Sequence, residues 1–116
     1  MAISISGNII KDNGIQKGII NIDDGKIQSI GNIKPEGELA DFGDSFIIPG
    51  FIDLHIHGIH YSLVDNGPDD LQEMCRILPQ YGVTGFLPTV SPRPAGEDSS
   101  FLSELSGIKT EGAQIL

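Results

Sequence analysis

The sequence predicts an α/β fold in two parts, and three observations carry that reading. Residues 1–48 hold short Ile- and Gly-rich runs cut by turn residues, without helical periodicity. From residue 49 onward, apolar strand-like runs alternate with amphipathic stretches at helical spacing, the pattern of parallel crossover units. The change falls at Pro49-Gly50, which divides the chain into segments 1–48 and 49–116.

In the first segment, Ala2–Ile10 reads as a strand with Ile3 and Ile5 at period two. Asp12-Asn13-Gly14 is a turn, because Asn and Gly tolerate positive φ. Gly18–Asp23 and Lys26–Ile30 form a hairpin across Asp23-Asp24-Gly25. Gly31–Gly43 is polar and loop-like, and Ser45–Ile48 is a further strand. These are short antiparallel strands whose apolar face needs a second layer, so a small β-sandwich-type segment is expected.

The second segment opens with the strand Phe51–His57, which reads as buried, and a loop from Gly58 to Gly67. A helix follows, with Gly67 as cap, Pro68 at its first position and Asp69 and Asp70 at the positive end of its dipole. Leu71, Met74, Cys75 and Leu78 recur at i, i+3, i+4 and i+7 as one buried stripe, and Pro79 and Gly82 end the helix. Val83–Val90 is a second strand, with Pro88 marking its end. Phe101, Leu102 and Leu105 mark the apolar face of a shorter helix, with Glu97 and Asp98 as charges at its start. Ala113–Leu116 opens a third strand. Two strand–helix units of about 30 residues each fit after residue 48, whereas a closed eight-unit barrel takes about 250.

Composition narrows the function classes. A formal net charge of −9, with 7 scattered Lys and Arg, argues against nucleic acid, whose phosphates need clustered basic groups. The hydrophobic fraction of 39% is too high for a disordered chain. One cysteine, Cys75, forms no internal disulfide and reads as a core thiol. The N-terminus lacks the pattern of a signal peptide, and no apolar run approaches the roughly 20 residues of a membrane span. A cytoplasmic protein without a membrane partner is expected.

The strongest chemical signal is His55-Ile56-His57. Strand side chains two apart face the same way, so both imidazoles can converge on one divalent cation, zinc being the expected choice. Asp53 lies on the same face, placed to bind that cation or to orient a histidine through its second ring nitrogen. A bare His-x-His is usually incidental; three polar groups on one face of a strand that otherwise reads as buried favour a site, because burying them without partners is costly. His60, Thr89 and Arg93 are weaker candidates for substrate contact, reading first as a solvated loop residue, a packing residue and a loop cation. No phosphate-binding loop, Gly-x-Ser-x-Gly elbow or Cys-x-x-Cys pair is present.

The run Ile48-Pro49-Gly50-Phe51-Ile52-Asp53-Leu54-His55-Ile56-His57-Gly58 resembles the first barrel strand of the amidohydrolase superfamily. Gly25-Lys26-Ile27 and Ile30-Gly31 resemble the small β domain that precedes that barrel. Gly82-Val83-Thr84-Gly85-Phe86-Leu87-Pro88-Thr89 is similar to the second strand of the N-acetylglucosamine-6-phosphate deacetylases within it. The resemblance implies the first two βα units of an incomplete (β/α)8 TIM-type barrel. It also implies a metal-dependent hydrolase of an amino sugar phosphate, with His55 and His57 as metal ligands and one or two ions in the complete enzyme. A homo-oligomer is expected. The loop Ile59–Asp65 departs from the family's Gly-rich form. The family's glutamate ligand, later histidines and catalytic aspartate have no counterpart within these residues, so an inactive N-terminal piece of an enzyme is expected. The alternatives are a non-catalytic, self-associating module or a cyclic-amide hydrolase or deaminase of the same superfamily.

Overall fold

In the computed structural model, which describes residues 1–116, the chain divides into two units, Met1–Pro49 and Gly50–Leu116. The first unit is one four-stranded sheet of β1 (Ile3–Lys11), β2 (Gly14–Asp23), β3 (Lys26–Gly31) and β4 (Glu38–Ile47), ordered β3-β2-β1-β4. Asp24 and Gly25 join β2 to β3 with φ of 48° and 68°, the primed turn whose twist suits a two-residue hairpin. The register sets Ile3 against Ile22, Ile5 against Ile20, and Ile20 against Ile30, so one face of the sheet is a field of isoleucines.

The other face carries a polar row, Ser4, Asn21 and Ser29, directly opposite one another on three strands. Ser4 Oγ donates to Asn21 Oδ1 at 2.7 Å, and Asn21 Nδ2 donates to Ser29 Oγ at 3.1 Å and to the Lys34 carbonyl at 3.0 Å. The Glu36 N–H reaches Ser4 Oγ and Asn21 Oδ1. This buried row fastens the connection from β3 across the sheet and delivers the chain to the far edge of β1.

Three sequence expectations are corrected here. The strand expected at Ser45 starts at Glu38, inside the segment Gly31–Gly43 read as a loop. Glu38–Asp41 has no strand periodicity of its own and is drawn into the sheet by pairing with Ile3–Ser6. Because its connection crosses the sheet, β4 runs parallel to β1, so the strands are mixed rather than all antiparallel. The unit is also a single sheet without the second layer of a sandwich.

The second unit follows the order β5 (Phe51–Ile56), a small hairpin of β6 (Gly58–Ile59) and β7 (Ser62–Leu63), α1 (Pro68–Ile77), β8 (Val83–Pro88), α2 (Asp98–Ser106) and β9 (Gln114–Ile115). β5, β8 and β9 form a parallel sheet with β8 in the centre, and each connection between them carries a helix. Leu71, Met74, Cys75 and Leu78 bury the α1 stripe against Phe86 of β8, together with Val64, Leu105 and Ala113. Past Ile77 the chain tightens into a 3-10 turn, Leu78–Tyr81, and ends at Gly82 with φ of 79°. A left-handed residue there stops the helix and lets the chain enter β8.

Local departures have local causes. The predicted loop Gly58–Gly67 contains the β6–β7 hairpin and a 3-10 turn, Val64–Asn66. Two-residue strands carry too little alternation to register in a sequence. In α2, Phe101 and Leu105 are one turn apart and face the core, whereas Leu102 is rotated about 100° away and is 48% exposed.

Candidate metal centre

β5 carries Asp53 and His55, its pairing with β8 shifts register between Asp53 and Ile56, and Ile56 packs on the core. His57 follows one residue past the end of the strand. The two imidazoles meet, with His55 Nε2 3.2 Å from His57 Nε2 and ring planes inclined at 68°. Two nitrogens on one tetrahedral zinc, each about 2.0–2.1 Å from it, lie about 3.3–3.4 Å apart. The pair therefore has the bite of a single ion. As neutral rings, one donates its Nε2 proton to the other's lone pair. Joint ligation requires both protons on Nδ1.

Asp53 Oδ1 accepts the backbone N–H of His55 at 3.0 Å. No group of three or more His, Cys, Asp or Glu side chains is gathered for a metal, so the chain supplies two donors at this point. The strand is also not buried as expected: Leu54 is 70% exposed and Phe51 and Ile52 are exposed beside it. β5 pairs along one edge only, with β8.

The weaker candidates make contacts of their own within the chain. His60 sits at φ of 54° in the tip of the β6–β7 hairpin and shares a 2.7 Å hydrogen bond with Tyr81 Oη. The Thr89 N–H donates to the Ile56 carbonyl at 2.8 Å, pinning the end of β5. Arg93 stacks on Phe101, with its guanidinium carbon 3.5 Å from the ring centroid, and its Nη2 donates to the Asp65 carbonyl at 2.9 Å.

Asp65 is the residue that sequence reasoning missed. Its carboxylate accepts the Ser91 N–H at 2.9 Å and the Ser91 hydroxyl at 2.6 Å. These bonds hold its carboxyl below the usual aspartate value, with a smaller contribution from the nearby charge of Arg93. The partners lie 26 residues apart, so no local pattern announces the pair. Asp65, Ser91, Pro92, Arg93 and Pro94 line an open cavity at this end of the sheet. Cys75 lies in the core as read, where burial pushes its thiol up.

No family model matches the chain. Curated proteins do. Over 119 aligned residues it is 34% identical to N-acetylglucosamine-6-phosphate deacetylase from Bacillus subtilis, covering 84% of this chain and 30% of that protein. It is 29% identical to imidazolonepropionase from Aliivibrio salmonicida, covering 84% of this chain and 26% of that protein. The chain belongs to the amidohydrolase superfamily. Among solved structures, a D-hydantoinase superposes with a TM-score of 0.58 at 21% identity, over 89% of this chain and 24% of the other, a likeness of fold. The amidohydrolase segment described here thus spans under a third of the length of the curated relatives it matches. No helix is long and apolar enough to cross a membrane.

Proposed function

We propose that this chain forms the leading part of a metal-dependent amidohydrolase barrel and that His55 and His57 hold a divalent cation, zinc for preference. The observation that carries this reading is the 3.2 Å approach of the two Nε2 atoms at the end of a parallel strand. That end is where α/β barrels place their active sites. A cation held there supplies Lewis acidity toward water and a substrate carbonyl. The residues of this chain contribute two neutral donors, a strand that Asp53 keeps rigid, and the loop that shapes one wall.

The substrate we favour is N-acetylglucosamine 6-phosphate, its acetamide C–N bond being hydrolysed to acetate and the free amine. The 34% identity to a deacetylase of that name supports it. By themselves these residues offer two imidazoles and no third donor, so we expect no turnover from the 116-residue chain. A cytoplasmic homo-oligomer is part of the same proposal. A second reading, a cyclic-amide hydrolase or deaminase, draws on the match to imidazolonepropionase.

Two measurements test the proposal. Calorimetric titration with Zn2+ should reveal binding that His55→Ala abolishes; equal binding by both proteins would remove the histidines from the site. The gene product that contains these residues should release acetate from N-acetylglucosamine 6-phosphate, and a chelator should stop it. Ring opening of cyclic amides or ammonia from adenine in place of acetate would transfer the case to the second reading.

A further inference from the structure

We infer that Asp65 is a positioning residue for the histidine pair, a brace that holds the His57 loop against the end of β8. This rests on the proposal that His55 and His57 hold a cation, but its geometry is independent of one. His57 has left the β ladder, and two contacts bound its segment. Before it, the Ile56 carbonyl accepts the Thr89 N–H at 2.8 Å; on it, the His57 carbonyl accepts the Val64 N–H at 2.9 Å. The second contact constrains His57 only if residue 64 is itself anchored.

Asp65, the next residue, provides that anchor. Both carboxylate oxygens are taken by Ser91, and the Asp65 carbonyl receives Nη2 of Arg93. Arg93 is in turn fixed by stacking on Phe101 of α2 and by donation of its N–H to Asp98 Oδ1 at 3.1 Å. The chain of contacts runs from His57 through Val64 and Asp65 to Ser91, Arg93 and α2. It ties the loop after β5 to the loop after β8. A two-ligand bite of 3.2 Å is sensitive to any slack in the loop carrying one ligand, and outer contacts of this kind govern metal affinity.

The test uses the 116-residue chain with two readouts. Long-range proton–nitrogen correlation of the imidazoles, without metal, reports whether the His55 and His57 rings share a proton. Titration with Zn2+ reports affinity. In Asp65→Ala the shared-proton signature should vanish, both rings reverting to the tautomer ratio of free imidazole, and Zn2+ affinity should fall about 10- to 100-fold. Asp65→Asn, which keeps one acceptor for Ser91, should restore part of both readouts, and Ser91→Ala should match it. Should Asp65→Ala fail to fold, Asp65→Asn and Ser91→Ala carry the test alone. An unchanged ring signature and affinity in the folded variants overturns the brace while leaving the metal reading intact. Loss of the ring signature in a chain that shows no histidine-dependent Zn2+ binding keeps the brace and overturns the metal reading.

Discussion

At the scale of single residues, the buried polar groups do the specifying. Asn21 satisfies four partners on three parts of the chain, and its removal leaves the buried Ser4 hydroxyl without its acceptor. Unpaired buried groups cost about 1–3 kcal/mol. Asn21→Ala should therefore lower unfolding free energy by about that amount in urea titrations. Asp70 shows the pH consequence of such fastening. The Leu63 N–H and then Asn66 Nδ2 hold its carboxyl below the ordinary 3.8. A depressed carboxyl contributes stability above its unfolded value, and that contribution fades as pH falls through the folded one. Thermal melts of the native chain should thus drop more steeply below pH 3.8 than those of Asp70→Asn.

At the scale of elements, α1 and β8 were legible because their signals are local and redundant. Cap, proline, acidic first turn and apolar stripe all agree over Pro68–Ile77. Phe86, fully buried at the centre of the parallel sheet, is the element's main packing contact. Phe86→Ala should cost about 3–5 kcal/mol in denaturant unfolding. Gly82 ends the helix at φ of 79°, beside the Phe51 ring, where an L side chain is strained. Gly82→Ala should lower stability by about 1–2 kcal/mol, a decrease in melting temperature that calorimetry resolves. β4 was legible only in its last residues, since Glu38–Asp41 become a strand through β1 and through nothing in their own order.

At the scale of the whole molecule, both units leave apolar surface uncovered. Ile27 and Ile30 stand exposed in the first, and Phe51, Ile52 and Leu54 in the second. Surfaces of this kind drive association even where net charge opposes it. Light scattering of the chain should report a mass above 12.4 kDa that rises with concentration. Leu54→Lys, on a strand with one free edge, should reduce it; a concentration-independent 12.4 kDa species would contradict the expectation.

Half of the candidate site could be read from residue order. Residue order sets the two histidines two positions apart at the end of a strand, and the approach of their rings depends on the segment past the strand, where His57 lies. Residue order likewise determined the parallel strand–helix alternation, since periodicity and turn chemistry act over a few residues. The tertiary structure alone decided that Asp53 serves a backbone N–H, that β4 is a parallel edge strand, and that Asp65 meets Ser91 and Arg93. Those contacts join residues 26 or more apart, or turn one side chain among several rotamers, and their energies exist only once the strands have brought the segments together.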